Sequence, residues 1–201
     1  LYDAYLLSEI AQLSANFDKV VVISASTDHD GLTDVPDNVE VHNFVPDVKL
    51  GDKLIAPLLL LQRFFINELR NIKSVYKRTL NLSLVKAITA YASKALKSKA
   101  FLDKLLSKVN FAEYDAYVYC YWNFEYALAA ALLGKKYPLK IIVRNHSLDL
   151  YFDRVPENYH PFRRYVYNNS NLFVFMSEQG RQYFFTSHAI PPAHQTKAIV
   201  N

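Results

Sequence analysis

"YDAYVYCYWNFEYALAAALLGKKYPLKIIVRNHSLDLYFDR", residues 114–154, decides how this chain folds. Its opening "YDAYVYCY" (114–121) is aromatic and β-branched, and too short for a helix. "NFEYALAAALLGKKY" (123–137) then reads as a helix, with Asn123 as its amino-terminal cap and Gly134 near its end. "LKIIVR" (139–144) returns to a short apolar run of the kind that fills a buried parallel strand.

Working outward, the alternation continues. "PFRRYVYNN" (161–169) predicts a short helix started by Pro161, and "NLFVFMS" (171–177) a strand. "EQGRQYFFTSH" (178–188) predicts a helix and "TKAIVN" (196–201) the start of one more strand. Toward the amino end, Leu6, Ile10, Leu13 and Phe17 share one face of a first helix. "KVVVIS" (19–24) and "VEVHNF" (39–44) are strands on either side of the loop "STDHDGLTDVPDN" (26–38). Leu84, Ile88, Tyr91, Ala95, Ser98, Leu102, Leu105 and Val109 keep a helical rhythm through a long segment. Strands and helices at this spacing imply an α/β fold: a doubly wound, mostly parallel sheet with helices on both faces.

Composition is compatible with that fold. At 201 residues and 51% apolar content the chain can bury a sizeable core. One cysteine, Cys120, can neither staple the chain nor form a metal cluster, and it suits a reducing, cytoplasmic setting. Apolar runs such as Ala56–Leu61 and Tyr126–Leu133 are too short to span a bilayer. The chain opens on a leucine with no signal peptide in view, and we expect an earlier segment ahead of it. The net charge of +4 is uneven: residues 49–108 hold thirteen Lys/Arg against Asp52, Glu68 and Asp103, a balance of +10. Lys86, Lys97, Lys104 and Lys108 share one face of the long helix. They read either as a solvated face or as a surface for an anionic membrane. A nucleic-acid partner is not expected, because the aromatic RNA motifs and zinc spacings that would accompany the basic segment are missing.

In parallel α/β sheets ligands gather beyond the carboxyl ends of the strands, so chemistry is sought there. Three such ends carry unusual residues. After the first come Trp122 and Asn123, which read as a buried ring and a cap or as ligand contacts. After the second come Arg144, Asn145 and His146, with Asp149 three residues beyond the histidine. His146 there could donate to a phosphate or a sugar hydroxyl, and Asp149 could orient its ring. At the third, Ser177 and Glu178 fit a helix cap and its first turn, which alone accounts for both. With four glycines the chain has neither a G-x-G-x-x-G nor a phosphate-binding P-loop. The acidic "DHD" (28–30) matches a D-x-D metal motif but lies in a Gly/Pro-containing loop, where a solvated turn explains it.

Taken together, "YCYWNFEYALAAALLGKKYPLKIIVRNHSLDLYFDR" and "YHPFRRYVYNNSNLFVFMSEQGRQYF" resemble the amino-terminal domain of bacterial glycosyltransferases of family 4, which have GT-B architecture. The shared pattern is strand-YW-helix, then strand-R-x-H-x-x-D-x-Y, then strand-S-E-x-G-x-x-Y. "SEIAQLSANFDKVVVIS", with Glu9, is similar to the family's first helix and second strand. The resemblance implies residues 1–201 as a single Rossmann-like, acceptor-binding domain lacking its first strand. It implies a retaining enzyme that moves a sugar from a nucleotide-sugar donor to a glycan or lipid-linked acceptor in cell-surface polysaccharide assembly. The donor would be gripped by a carboxy-terminal domain absent from this chain, so residues 1–201 alone should be inactive, with no cofactor of their own. By the same resemblance His146 and Asp149 are catalytic, and Arg144, Trp122, Asn123, Ser177 and Glu178 bind substrate, without a metal. The enzyme would work in the cytoplasm, at the inner face of the membrane. Ser147 departs from the glycine found after the histidine in many relatives, which puts a tight backbone approach to ligand in doubt. The alternative is a non-catalytic sugar- or nucleotide-binding module of similar fold.

Overall fold

The structure, a computed structural model, describes residues 2–25, 35–47, 59 and 61–201. The "DHD" motif and the start of the basic segment, with Lys49, Asp52 and Lys53, lie outside the described residues. The chain forms two compact units, residues 1–47 and 48–201. It is an α/β protein whose sheets are parallel, consistent with a Rossmann-like fold.

The first unit holds helix α1 (Tyr2–Asn16) and strands β1 (Val20–Ser24) and β2 (Val39–Asn43), paired in parallel with Val20 opposite Val39. Of the helical stripe read from the sequence, Ile10 is buried, while Phe17 falls beyond the helix end and is 38% exposed. Asn38 ties helix to strand, its amide donating to the carbonyls of Ser14 and Phe17 at 2.9 Å each.

The second unit holds α2 (Arg63–Ser74), which the sequence reading did not find. Its inward face is Phe64, Phe65, Glu68 and Ile72. A carboxylate in the middle of that face interrupts the apolar period by which a helix is recognised. The long helix α3 (Leu82–Leu106) follows, capped by Asn81, whose side chain accepts from Leu84 N at 2.8 Å. Leu84, Ile88, Ala92, Ala95 and Leu102 form its core face.

Strands β3 (Ala116–Cys120), β4 (Leu139–Asn145), β5 (Leu172–Phe175) and β6 (Ala198–Val200) form a parallel sheet in that order. Between β3 and β4 runs α4 (Glu125–Leu133), sealed on nearly all sides from Ala127 to Leu133. A helix apolar all round can only be an interior one, and α3 packs along it. One row of the sheet, with Ile141, Val143, Phe173 and Phe175, is fully buried. Phe173 and Phe175 pack on Phe184 of α7 (Glu178–Ser187), with ring centroids 5.4 Å apart in both pairs. Residues of the opposite row are more open, Tyr117 at 43% and Ile199 at 48%.

Two expected helix starts differ from the structure. The cap of α4 is Phe124, not Asn123, because the Asn123 side chain is engaged elsewhere. Pro161 does not begin the next helix, α6 (Arg163–Asn168). Phe162 stands between them as its cap in a left-handed conformation, φ 63°. Such a backbone is uncommon for a bulky residue and must be held by its surroundings. Here the Phe162 amide donates to the buried Glu68 carboxylate, and its ring is enclosed by Phe64, Phe65 and Tyr91. Among the described residues no helix is long and apolar enough to cross a membrane.

Candidate functional site

The site read from the sequence falls in the second unit, at the carboxyl ends of β3, β4 and β5. The chain leaves β3 through Tyr121 and Trp122 and leaves β4 through His146, which caps the one-turn helix α5 (Ser147–Leu150). The His146 ring lies 4.2 Å from Trp122 and 4.9 Å from Tyr121, centroid to centroid. Trp122 in turn stacks on Phe124 at 5.9 Å. Arg144 reaches the same cluster from within β4. Its guanidinium lies 5.1 Å over the Tyr121 ring, Nη1 donates to the Tyr119 hydroxyl at 3.2 Å, and Nε contacts Met176 Sδ at 3.3 Å. Three aromatic rings, an imidazole and a guanidinium thus meet in one patch, at distances where π and cation–π attraction operate.

Beneath the patch the polar groups are buried, and they serve the backbone. Asp149 is 1% exposed. Its Oδ1 accepts from the His146 amide and its Oδ2 from the Asn123 amide, both at 2.6 Å. One carboxylate therefore clamps the turn after β3 to the turn after β4. The sequence reading had Asp149 orienting the His146 ring; in the structure its side-chain oxygens accept from main-chain amides, and it fixes where the ring is carried. Burial raises the Asp149 pKa to about 6, against the opposing pull of the Arg163 charge and the two amides. Asn123 is fully buried, its Nδ2 donating to Asn145 Oδ1 at 2.9 Å, and so braces neighbouring strand ends. Asn145 Nδ2 crosses to the Val174 carbonyl of β5 at 3.2 Å.

A second buried layer supports Asp149. Arg163 donates through Nη2 to the Asp149 carbonyl at 3.2 Å and through Nη1 to the Tyr91 hydroxyl at 3.1 Å. Nη2 also lies 3.1 Å from His160 Nδ1, while His160 Nε2 faces the Tyr151 carbonyl at 3.1 Å. A guanidinium can only donate, so His160 holds its proton on Nε2 and accepts through Nδ1. Burial, reinforced by the Arg163 charge, pushes its pKa down to about 3.

The remaining candidates are placed by helix α7. Ser177 is its cap, accepting from Gly180 N at 3.1 Å as the sequence predicts. Glu178 is held by Arg181 at 2.7 Å and by Gln182 at 3.0 Å, and the bond from Arg181 keeps its carboxyl below the ordinary range. Gly180 permits close approach to the His146 turn: a Cβ there would stand 2.9 Å from Leu150 Cδ2. The structure thus joins Trp122, Arg144 and His146, places Asp149 and Asn123 under them as positioning residues, and ties Ser177 and Glu178 into the start of α7. Sequence reasoning missed Tyr119 and Met176. The strand register would have found Tyr119, since Tyr119 pairs with Ile142 and so shares a face with Arg144.

Among the described residues no group of three or more His, Cys, Asp or Glu side chains is placed to hold a metal ion. No family model, no curated protein and no solved structure matches the chain. What fold and site define together is an α/β protein of Rossmann-like kind with an aromatic and cationic patch at its strand ends.

Proposed function

We propose that the chain is the acceptor-binding half of a retaining glycosyltransferase of GT-B architecture. In this reading the sheet belongs to a doubly wound domain, and a second domain grips the nucleotide-sugar donor. The acceptor is a glycan or lipid-linked glycan of cell-surface polysaccharide assembly, met in the cytoplasm. The observation that carries the reading is the packing of His146 against Trp122 and Tyr121, with Arg144 over Tyr121. An aromatic face suits the apolar side of a sugar ring, and a neighbouring cation suits a diphosphate. His146 would position an acceptor hydroxyl or stabilise charge on the departing diphosphate. Arg144 would add positive charge. Asp149, engaged by two amides, acts through the position of His146 and does not itself touch substrate. A binding role for residues 1–201 follows, without turnover in the absence of the donor domain.

Trp122 is the only tryptophan of the chain, so its fluorescence reports on the patch directly. Titration with oligosaccharides and with polyprenyl-diphosphate sugars should give a saturable change that His146→Ala weakens at least tenfold. No response to any member of such a panel would overturn the reading.

A further inference from the structure

The second unit carries a charged surface that the strand-end patch does not use. Helix α3 is 25 residues long and carries five lysines, no arginine, and one acid, Asp103. Asp103 is already occupied on the flank of the helix, accepting from Lys136 Nζ at 2.8 Å and from the Tyr137 hydroxyl at 2.7 Å. At 100° per residue, Lys86, Lys97 and Lys104 fall within about 20° of one another and about 160° from the row Leu84, Ala95 and Leu102. That second row is the buried one. Lys86 and Lys104 are exposed and Lys97 half-buried on the face turned from the core, in a line about 27 Å long from Lys86 to Lys104. Exposed Lys94 lies about 80° to the side of the row, and exposed Lys108 follows the end of the helix. Leu82, one turn before Lys86, is 70% exposed.

A solvated helix face ordinarily mixes signs, because i,i+4 pairs of opposite charge support it. Among the residues of α3 itself, this face carries lysines and no acid; Glu157 accepts from Ser83 at the start of the helix. The charges of the face belong to lysine, which acts as a hydrated point charge and lacks the planar fork that grips a single phosphate in two places. The two aromatic residues of α3, Tyr91 and Phe101, are half-buried, so no exposed ring stands ready to stack a base. A straight row of point charges beside an exposed leucine matches a flat anionic surface better than a groove-bearing or single-stranded polyanion.

We propose that the lysine face of α3 docks the protein on a bilayer of anionic phospholipid. The interaction is electrostatic and reversible, with Leu82 entering the headgroup layer at one end of the row. It is independent of the sugar-binding reading, and its test does not involve the strand-end patch.

The experiment is sedimentation of residues 1–201 with vesicles of phosphatidylcholine containing phosphatidylglycerol, beside vesicles of phosphatidylcholine alone. Binding should require the anionic lipid and weaken steeply with added salt. Two double variants remove the same charge from different places. Lys86→Gln with Lys104→Gln thins the row and should lower the partition coefficient by about 30-fold, from roughly tenfold per 1.4 kcal/mol and about 1 kcal/mol per lysine. Lys19→Gln with Lys140→Gln removes lysines that are paired with Glu40 and Asp115, and it should leave partitioning within about twofold. Both variants change exposed side chains, and their circular dichroism and melting should match the parent. Equal losses in the two variants would show that only net charge matters and would overturn the proposal. So would absence of binding to the anionic vesicles, or tighter binding to duplex or single-stranded DNA at the same salt.

Discussion

The strand-end patch and the polar layer beneath it are built from the same residue types and do opposite work. Above, Arg144 and His146 are half-exposed and lie against aromatic rings. Below, Arg163 and His160 are almost wholly buried and are spent on main-chain carbonyls and on each other. The difference teaches that a titratable side chain near a sheet edge is not thereby a ligand contact. A buried polar group must find partners at once, and the nearest are the unpaired amides and carbonyls of the turns. Once paired, it sets backbone geometry. Only the exposed layer keeps capacity to meet a ligand.

The comparison is broken most forcefully at Asp149. Asp149→Ala removes the acceptor for the amides of Asn123 and His146, the first buried and the second part-buried. An unsatisfied buried donor costs about 1–3 kcal/mol, so the loss should be about 3 kcal/mol in urea denaturation followed by circular dichroism. A loss below about 1 kcal/mol would mean that the turns hold without the clamp and that the lower layer is not structural.

How much of this was readable beforehand depended on which layer a residue occupies. The alternation around β3, α4 and β4 was legible because the pattern changes abruptly from short β-branched runs to an Ala/Leu helix. The Ser177 cap was legible because capping is local, decided within three residues. Trp122, Arg144 and His146 were legible as positions following strands. The lower layer was not. Asn123 reads as a cap, yet its partner is Asn145, on another strand end. Asp149 stands three residues from His146, a spacing that suggests a ring contact, yet in the fold its oxygens face amides. Helix α2 was hidden by Glu68, whose partners Tyr159 and Phe162 lie more than ninety residues away. Long-range partners of buried polar residues leave no periodic signal in one sequence.

A pH titration sharpens the same contrast. The folded pKa of Asp149, about 6, lies above its unfolded value near 3.9, so the native state binds the proton more tightly. Its contribution to stability is therefore most favourable below about pH 4 and declines as pH rises toward 6, by about 2 kcal/mol. His160 works in the opposite sense, because burial depresses its pKa to about 3 and the native state resists protonation. The difference between the parent and Asp149→Asn isolates the carboxyl. That difference should move against the parent between pH 4 and 6 and stay level above it. A flat difference across the range would place Asp149 in a more solvated setting than its 1% exposure implies.

The upper layer should respond in the reverse way, with small stability effects and large functional ones. His146→Ala loses ring contacts with Trp122 and Tyr121, for which about 1 kcal/mol is expected. In an enzyme that includes the donor domain, the same change should reduce kcat/KM by two orders of magnitude or more, and an unchanged value would remove His146 from the reacting centre. Arg144→Lys is the mildest test. It retains the charge but gives up the planar group over Tyr121 and the directed bond to the Tyr119 hydroxyl. Both contacts are partly solvated, so stability should change by no more than about 0.5 kcal/mol. Binding of a diphosphate-bearing acceptor should nonetheless weaken several-fold if the fork itself recognises phosphate, while a neutral oligosaccharide should bind as before. Equal loss for both ligands would instead assign Arg144 to holding Tyr121 in place, moving it from the upper layer of the comparison to the lower.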